Sequence, residues 1–186
     1  MVCISTKFAP CLSFQRSLCG VCWAIAILLT VSVYWNGLAS PAIARLDFVQ
    51  EAPGQMLYKS FQSLKDDAGR PWQAIAFKRS FPDGSAWMLL RLVGFPGGVE
   101  VQRGKALRLT NYRGQTFVAT DASERVFADN IVPANVGQFD IAAIVSQVDA
   151  NAPLKLVLPT LDGDVAIAVP VGAIEEWQTV AYREAK

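Results

Sequence analysis

The sequence predicts an α+β fold: an antiparallel β-rich partial barrel or sandwich with two short helices. Three observations carry that expectation. Short apolar segments of period two recur along the chain, and Gly, Pro, Asp and Asn clusters divide them. Only two stretches switch to a helical period. Finally, 52% of the 186 residues are hydrophobic and 18% charged, enough apolar surface for one core.

Residues 1–44 read as a signal peptide. Lys7 and Arg16, with no acid nearby, precede Val21–Tyr34, an apolar run broken only by Thr30 and Ser32. A spanning helix wants about 20 apolar residues and a signal core about 7–15, so the run suits the signal. Ala42-Ile43-Ala44 supplies the small-x-small cleavage pattern, with the cut expected after Ala44. An uncleaved anchor with Trp23 and Trp35 at the interface is the alternative. Cys3, Cys11, Cys19 and Cys22 all fall in this segment. Residues 45–186 therefore hold no cysteine, and their stability rests on packing rather than on a disulfide framework.

Residues 45–54 read as a linker ending Ala52-Pro53-Gly54, and 55–186 as a single β-rich domain. Its first strand, Met56–Lys65, runs into the turn Asp66-Asp67-Ala68-Gly69. Trp72–Arg79 leads to Pro82-Asp83-Gly84, where proline presets φ. Ala86–Val93 follows, with Met88, Leu90 and Leu92 on one face and Trp87, Leu89, Arg91 and Val93 on the other. Both faces are mostly apolar, which marks a central strand covered on both sides. Val99–Gln102, Ala106–Thr110 and Gln115–Ala119 read as shorter strands, and Asp121 with Glu124 has the spacing of a helix cap. Ile141, Ile144, Val145 and Val148 repeat at i, i+3, i+4 and i+7, a helix capped near Asp140. Leu154–Leu158 and Val165–Val169 alternate around the hairpin signal Asp162-Gly163. Pro170 suits the first position of a last helix, with Ile174, Trp177 and Ala181 on one stripe.

Charge is segregated along the chain. Lys59–Arg113 carries ten basic and four acidic residues, whereas Gly114–Lys186 carries four basic and ten acidic. Either a basic face meets an anionic partner, or the two halves neutralise each other within one fold. The overall balance of 17 basic and 16 acidic residues argues against nucleic acid.

The same inventory narrows the chemistry. The chain has no histidine, so Ser-His-Asp and Cys-His sites and histidine-held metals are excluded. Gly98–Lys105 fails as a phosphate loop, in spacing and in the missing Ser/Thr after Lys105. Carboxylate pairs such as Asp66-Asp67, Asp162/Asp164 and Glu175-Glu176 read as turn or helix-surface charge. No catalytic, cofactor-binding or metal residue is therefore assigned. The candidate docking residues are Phe95, held between Gly94 and Pro96 on a rigid turn, and Arg103 with Lys105, which share a parity if the segment is extended.

Four segments carry a family resemblance. Tyr58-Lys59-Ser60, Leu90-Arg91-Leu92-Val93-Gly94-Phe95-Pro96-Gly97, Pro133-Ala134-Asn135-Val136-Gly137-Gln138-Phe139-Asp140 and Glu176-Trp177-Gln178 resemble the cyanobacterial domain of unknown function numbered 3122. The similarity runs from about Met56 to Val180. It implies a small exported protein of photosynthetic bacteria and supplies no catalytic or binding residue. The expected function is a non-enzymatic accessory or binding module of the thylakoid lumen or periplasm. It would serve a membrane-associated protein complex and touch the membrane only through the signal before cleavage. The alternative is a carrier of an apolar small molecule, lipid or pigment, in a partial barrel; a carboxylate-only hydrolase ranks third.

Overall fold

The computed structural model describes residues 45–125 and 132–183, which belong to one compact unit. The elements are β1 (Arg45–Ala52), β2 (Gln55–Lys65), β3 (Pro71–Ser80), β4 (Ala86–Val93), β5 (Leu107–Asn111) and β6 (Thr116–Ala119). A 3-10 turn at Ser123–Arg125 follows, then β7 (Val136–Asp140), α1 (Ala142–Val145), β8 (Leu154–Thr160), β9 (Gly163–Val169) and α2 (Val171–Tyr182). They make two antiparallel sheets, ordered β1-β2-β3-β4-β7 and β6-β5-β8-β9. Isolated bridges are the described links between the two ladders, so the fold is an open β-rich sandwich rather than a closed barrel.

Three local expectations are corrected. Residues 45–52, expected as part of a linker, form β1 and pair with β2 from Arg45↔Phe61 to Ala52↔Gln55, with a bulge between Gln50 and Ala52. Pro53-Gly54 is the hairpin turn, and Gly54 takes φ +76°, a backbone setting that favours glycine. Val99–Gln102 is not a strand but a single bridge, Val101↔Thr160. The first helix is one turn, Ala142–Val145, with Ala142 N donating to Asp140 Oδ1 at 3.1 Å. Its pattern was sound nonetheless, since Ile141, Ile144, Val145 and Val148 are all buried.

One core lies between the sheets. Trp72, Ala74 and Ala76 of β3 and Met88, Leu90 and Leu92 of β4 face Leu107 and Leu109 of β5, Leu156 and Leu158 of β8, and Ile167 of β9. α2 adds Ala173, Ile174, Trp177 and Val180, packing on β2 and β3. Pro170 is its N-cap (φ −73°, ψ 158°), where the missing N–H leaves no orphan donor. Polar ties then fix its rotation. Ser60 Oγ and Gln62 Nε2 donate to Glu176 Oε2 at 2.6 and 2.7 Å. Lys78 Nζ donates to the carbonyls of Ala181 and Arg183 at 2.7 and 2.8 Å, a cation against the helix's negative end. Gln178 Nε2 donates to the carbonyls of Val145 and Val148 at 3.1 and 2.8 Å, fastening α1 to α2.

Asp66 joins the sheets. It is buried, bridges to Ile167 of β9, and accepts from Ala68 N, Arg70 N, Arg70 Nε and Trp72 Nε1 at 2.7–3.1 Å. Burial opposes its ionisation. The hydrogen bonds from Trp72 and Arg70 nevertheless hold its carboxyl below the ordinary value.

Candidate functional site

Alternation along β2, β3 and β4 sends every second side chain away from the core, onto the outer face of the five-stranded sheet. The antiparallel register lines these residues up in rows. Leu57, Arg79 and Trp87 form the first row; Lys59, Phe77 and Leu89 the second; Phe61, Ile75 and Arg91 the third. Phe77 is therefore the centre of the face. It is buried with Leu57, Leu89 and Ala122, and Ile75 and Trp87 pack against this small second cluster. That cluster is the outer cover expected for β4.

Around Phe77 lies an open groove of about 340 Å³, lined by Leu57, Phe61, Ile75 and Phe77 together with Lys59, Arg79, Arg91 and Glu51. Three cations thus border an apolar floor against one carboxylate. Glu51 belongs to Arg79: Nη2 donates to Oε1 at 3.2 Å, and Nε lies 3.0 Å from Oε2. Arg91 is positioned from the other side. Its Nε and Nη2 donate to Gln138 Oε1 at 3.1 and 2.9 Å, and its guanidinium stands 5.4 Å from the Phe77 ring centre. Gln138 is fully buried, and its Nε2 donates to the Ala122 carbonyl at 2.9 Å. A buried amide with both ends bonded is a rigid mount. Burial first, and the like charge of Arg79 second, pull the Arg91 guanidinium below its ordinary value. Crowded cations over an apolar floor attract an anion. At the edge of the face, Phe81 meets Trp87 edge-to-face at 4.7 Å, and Arg125 stands 5.9 Å from the Trp87 ring while pairing with Asp140.

The docking residues expected from sequence lie elsewhere. Phe95 is 70% exposed on its turn, where Gly98 N donates to the Phe95 carbonyl at 3.1 Å. Arg103 is occupied within the fold: it donates to the carbonyls of Val136 and Pro133 and, at 3.2 Å, to Ser123 Oγ. Lys105 is exposed. The two do not share a strand face, because 102–106 is a turn around Gly104 (φ +71°), where alternation does not hold. A second depression, of about 470 Å³, is lined by Arg103, Gly104, Asp121–Arg125 and Val132. Residues 126–131, between Arg125 and Val132 in sequence, lie outside the described residues. In the depression, Asp121 already accepts from Gly104 N and Ser123 N at 2.7 and 2.9 Å.

Between the sheets, a cavity of about 10 Å³ is lined by Leu109, Ile144, Val148, Leu154, Ile174 and Trp177 among others. That is room for about one water molecule. Among the described residues, no group of three or more Asp, Glu, His or Cys side chains could hold a metal ion.

The family described as protein of unknown function (DUF3122) matches residues 44–180. The chain belongs to this family. No curated protein and no solved structure matches it. The segments that carried the resemblance meet in space as two pairs. Those of β4 and β7 lie side by side: Arg91 opposes Gln138, Leu92 opposes Gly137, and Gly94 N and Asn135 Nδ2 bond the opposite segment's carbonyls at 2.9 and 2.7 Å. Ser60 of β2 bonds Glu176 of α2, as above. In this DUF3122 chain those four segments therefore include both the scaffold of the last helix and the mount of Arg91.

Proposed function

We propose that this DUF3122 protein is an exported binding module without catalytic chemistry of its own. It works in the periplasm or thylakoid lumen of a cyanobacterium and presents the outer face of its five-stranded sheet to a membrane-associated protein. The observation that carries this reading is the groove around Phe77, in which Lys59, Arg79 and Arg91 border an apolar floor. Apolar floor gives area to bury, and fixed cations give orientation and on-rate. The carrier reading is weakened by the filled interior, since about 10 Å³ holds no lipid or pigment. Export draws its support from the leader pattern of residues 1–44 and from the family match, which begins at residue 44.

The test is affinity capture from solubilised membranes with the protein as its cells process it, combined with N-terminal sequencing. A protein partner lost as salt rises from 50 to ~500 mM supports the reading, because screening then acts within about 4 Å. Co-purifying lipid or pigment with no protein partner would favour the carrier. An N-terminus at Arg45 supports export with cleavage; an intact N-terminus in washed membranes favours the anchor.

A further inference from the structure

The groove also indicates what its occupant looks like. We infer that it takes an acidic protein segment in which an apolar side chain is flanked by carboxylates, a deepening that rests on the binding-module reading above. Rows of a sheet lie ~7 Å apart along the strands, and neighbouring strands ~4.8 Å apart. Lys59 and Arg79 are one strand and one row apart, and Lys59 and Arg91 two strands and one row apart. Their backbone positions are thus roughly 8 and 12 Å from each other, with Phe77 between them. Lys59 and Arg91 therefore flank Phe77 on opposite sides, and a segment with two carboxylates gives each cation its own partner. Side chains at i, i+2 and i+4 of an extended segment share one face, so carboxylates at i and i+4, ~13 Å apart, reach the two cations while the apolar side chain at i+2 lies toward the floor of Phe77, Phe61 and Ile75.

The shape of the groove favours a protein segment over a free small molecule. A small ligand binds well when most of its surface is enclosed, and this groove is open along one side. The positions of two cations are fixed in advance: Gln138 holds Arg91, and Glu51 holds Arg79. Pre-set donors lower the ordering cost of binding. Asp47, opposite Lys59 in the register, is a second β1 acid beside Glu51 at that rim of the face.

The test uses the protein as its cells process it and a fluorescein-labelled peptide, Gly-Glu-Asp-Phe-Glu-Asp-Gly, read by polarisation. Control peptides carry Ser for Phe, or Gln and Asn for the acids. The expected result is saturable binding at 50 mM salt that weakens at least tenfold for either control. Lys59→Ser and Arg91→Met are each expected to weaken it at least fivefold. Lys59 is half-buried at the groove's border and makes no ion pair among the described residues, so Lys59→Ser keeps the test valid if Arg91→Met melts early. Equal binding of all three peptides, or unchanged binding by both variants, would overturn the inference. So would binding to vesicles of 30% anionic lipid that the peptide fails to displace, since the groove's source of carboxylate or phosphate would then be a membrane. If membrane capture succeeds while Lys59→Ser and Arg91→Met retain the partner, the binding-module reading survives and the groove does not, and Phe95 becomes the next surface to vary.

Discussion

Gln138 and Arg91 oppose each other across β4 and β7, and a single amide oxygen of the fully buried Gln138 accepts both Nε and Nη2 of the half-buried Arg91. The pair sets a groove cation on the second-best-covered face of the sheet. Its removal has consequences for stability as well as for recognition.

Gln138→Leu leaves the Arg91 guanidinium over Phe77 without its amide acceptor and takes a donor from the Ala122 carbonyl. A loss of about 1–3 kcal/mol is expected in urea denaturation. In a double-mutant cycle, Arg91→Met with Gln138→Leu is expected to cost less than the sum of the single changes. Strict additivity would show that the two side chains do not act together.

Asp66 makes the fold acid-sensitive in a defined direction. Its carboxyl is held below the ordinary value in the folded state, despite burial, by bonds from Trp72 and Arg70. The stabilisation is then complete above the unfolded pKa of about 3.9 and is lost as pH falls through the lower folded value. Asp66→Asn is expected to be less stable than wild type by about 1–3 kcal/mol at pH 7. The gap between the two denaturation midpoints closes on descent toward pH 2. A gap independent of pH would remove the carboxylate from the account.

Gly137 is a close-approach glycine. A Cβ there would stand 2.9 Å from Phe139 Cε2 and 3.1 Å from Val101 Cγ1, inside van der Waals contact with core side chains. Gly137→Ala is expected to lower stability by about 1–3 kcal/mol, seen as a drop in melting temperature, because a packed core yields poorly to added volume. An unchanged melting temperature would mean the Phe139 ring yields freely.

Arg103 and Lys105 are expected to part company. Arg103→Ala strips a charged donor from the carbonyls of Val136 and Pro133, at a cost of about 1–3 kcal/mol in thermal or urea unfolding. Lys105→Glu, at an exposed turn position, is expected to stay within about 0.5 kcal/mol of wild type. Equal effects would return the two residues to one shared surface.

Most of the sandwich was legible because it is written in burial. β4 announced itself by apolar residues on both faces, β8 and β9 by alternation around Asp162-Gly163, and α2 by the stripe through Ile174 and Trp177. β1 was not legible: Phe48 and Val49 are 73% and 47% exposed, so no buried face gives the strand a period. β7 was hidden for the opposite reason, since Gly137 and Gln138 are buried where apolar residues are the rule. The groove was half visible. Parity places Lys59 with Leu57, Arg79 with Phe77 and Arg91 with Leu89. That Phe77 sits among the three cations depends on register between strands, which the β2–β3 and β3–β4 hairpin turns decide. Arg103 and Lys105 misled because their i, i+2 spacing spans the turn at Gly104, and the carbonyls awaiting Arg103 belong to a distant segment.

The ties from Ser60, Gln62 and Lys78 to the last helix make the end of the chain a condition for finishing its beginning. On the ribosome, β4 is complete on the order of 90 residues before Tyr182 is added, roughly 4–18 seconds at 5–20 residues per second. Through that interval the part of β2 and β3 that α2 will cover stands open, with Ser60, Gln62 and Lys78 among its side chains. A chain stopped before Val171 would never close it. Completion is thus timed by the addition of α2 rather than by the emergence of any strand.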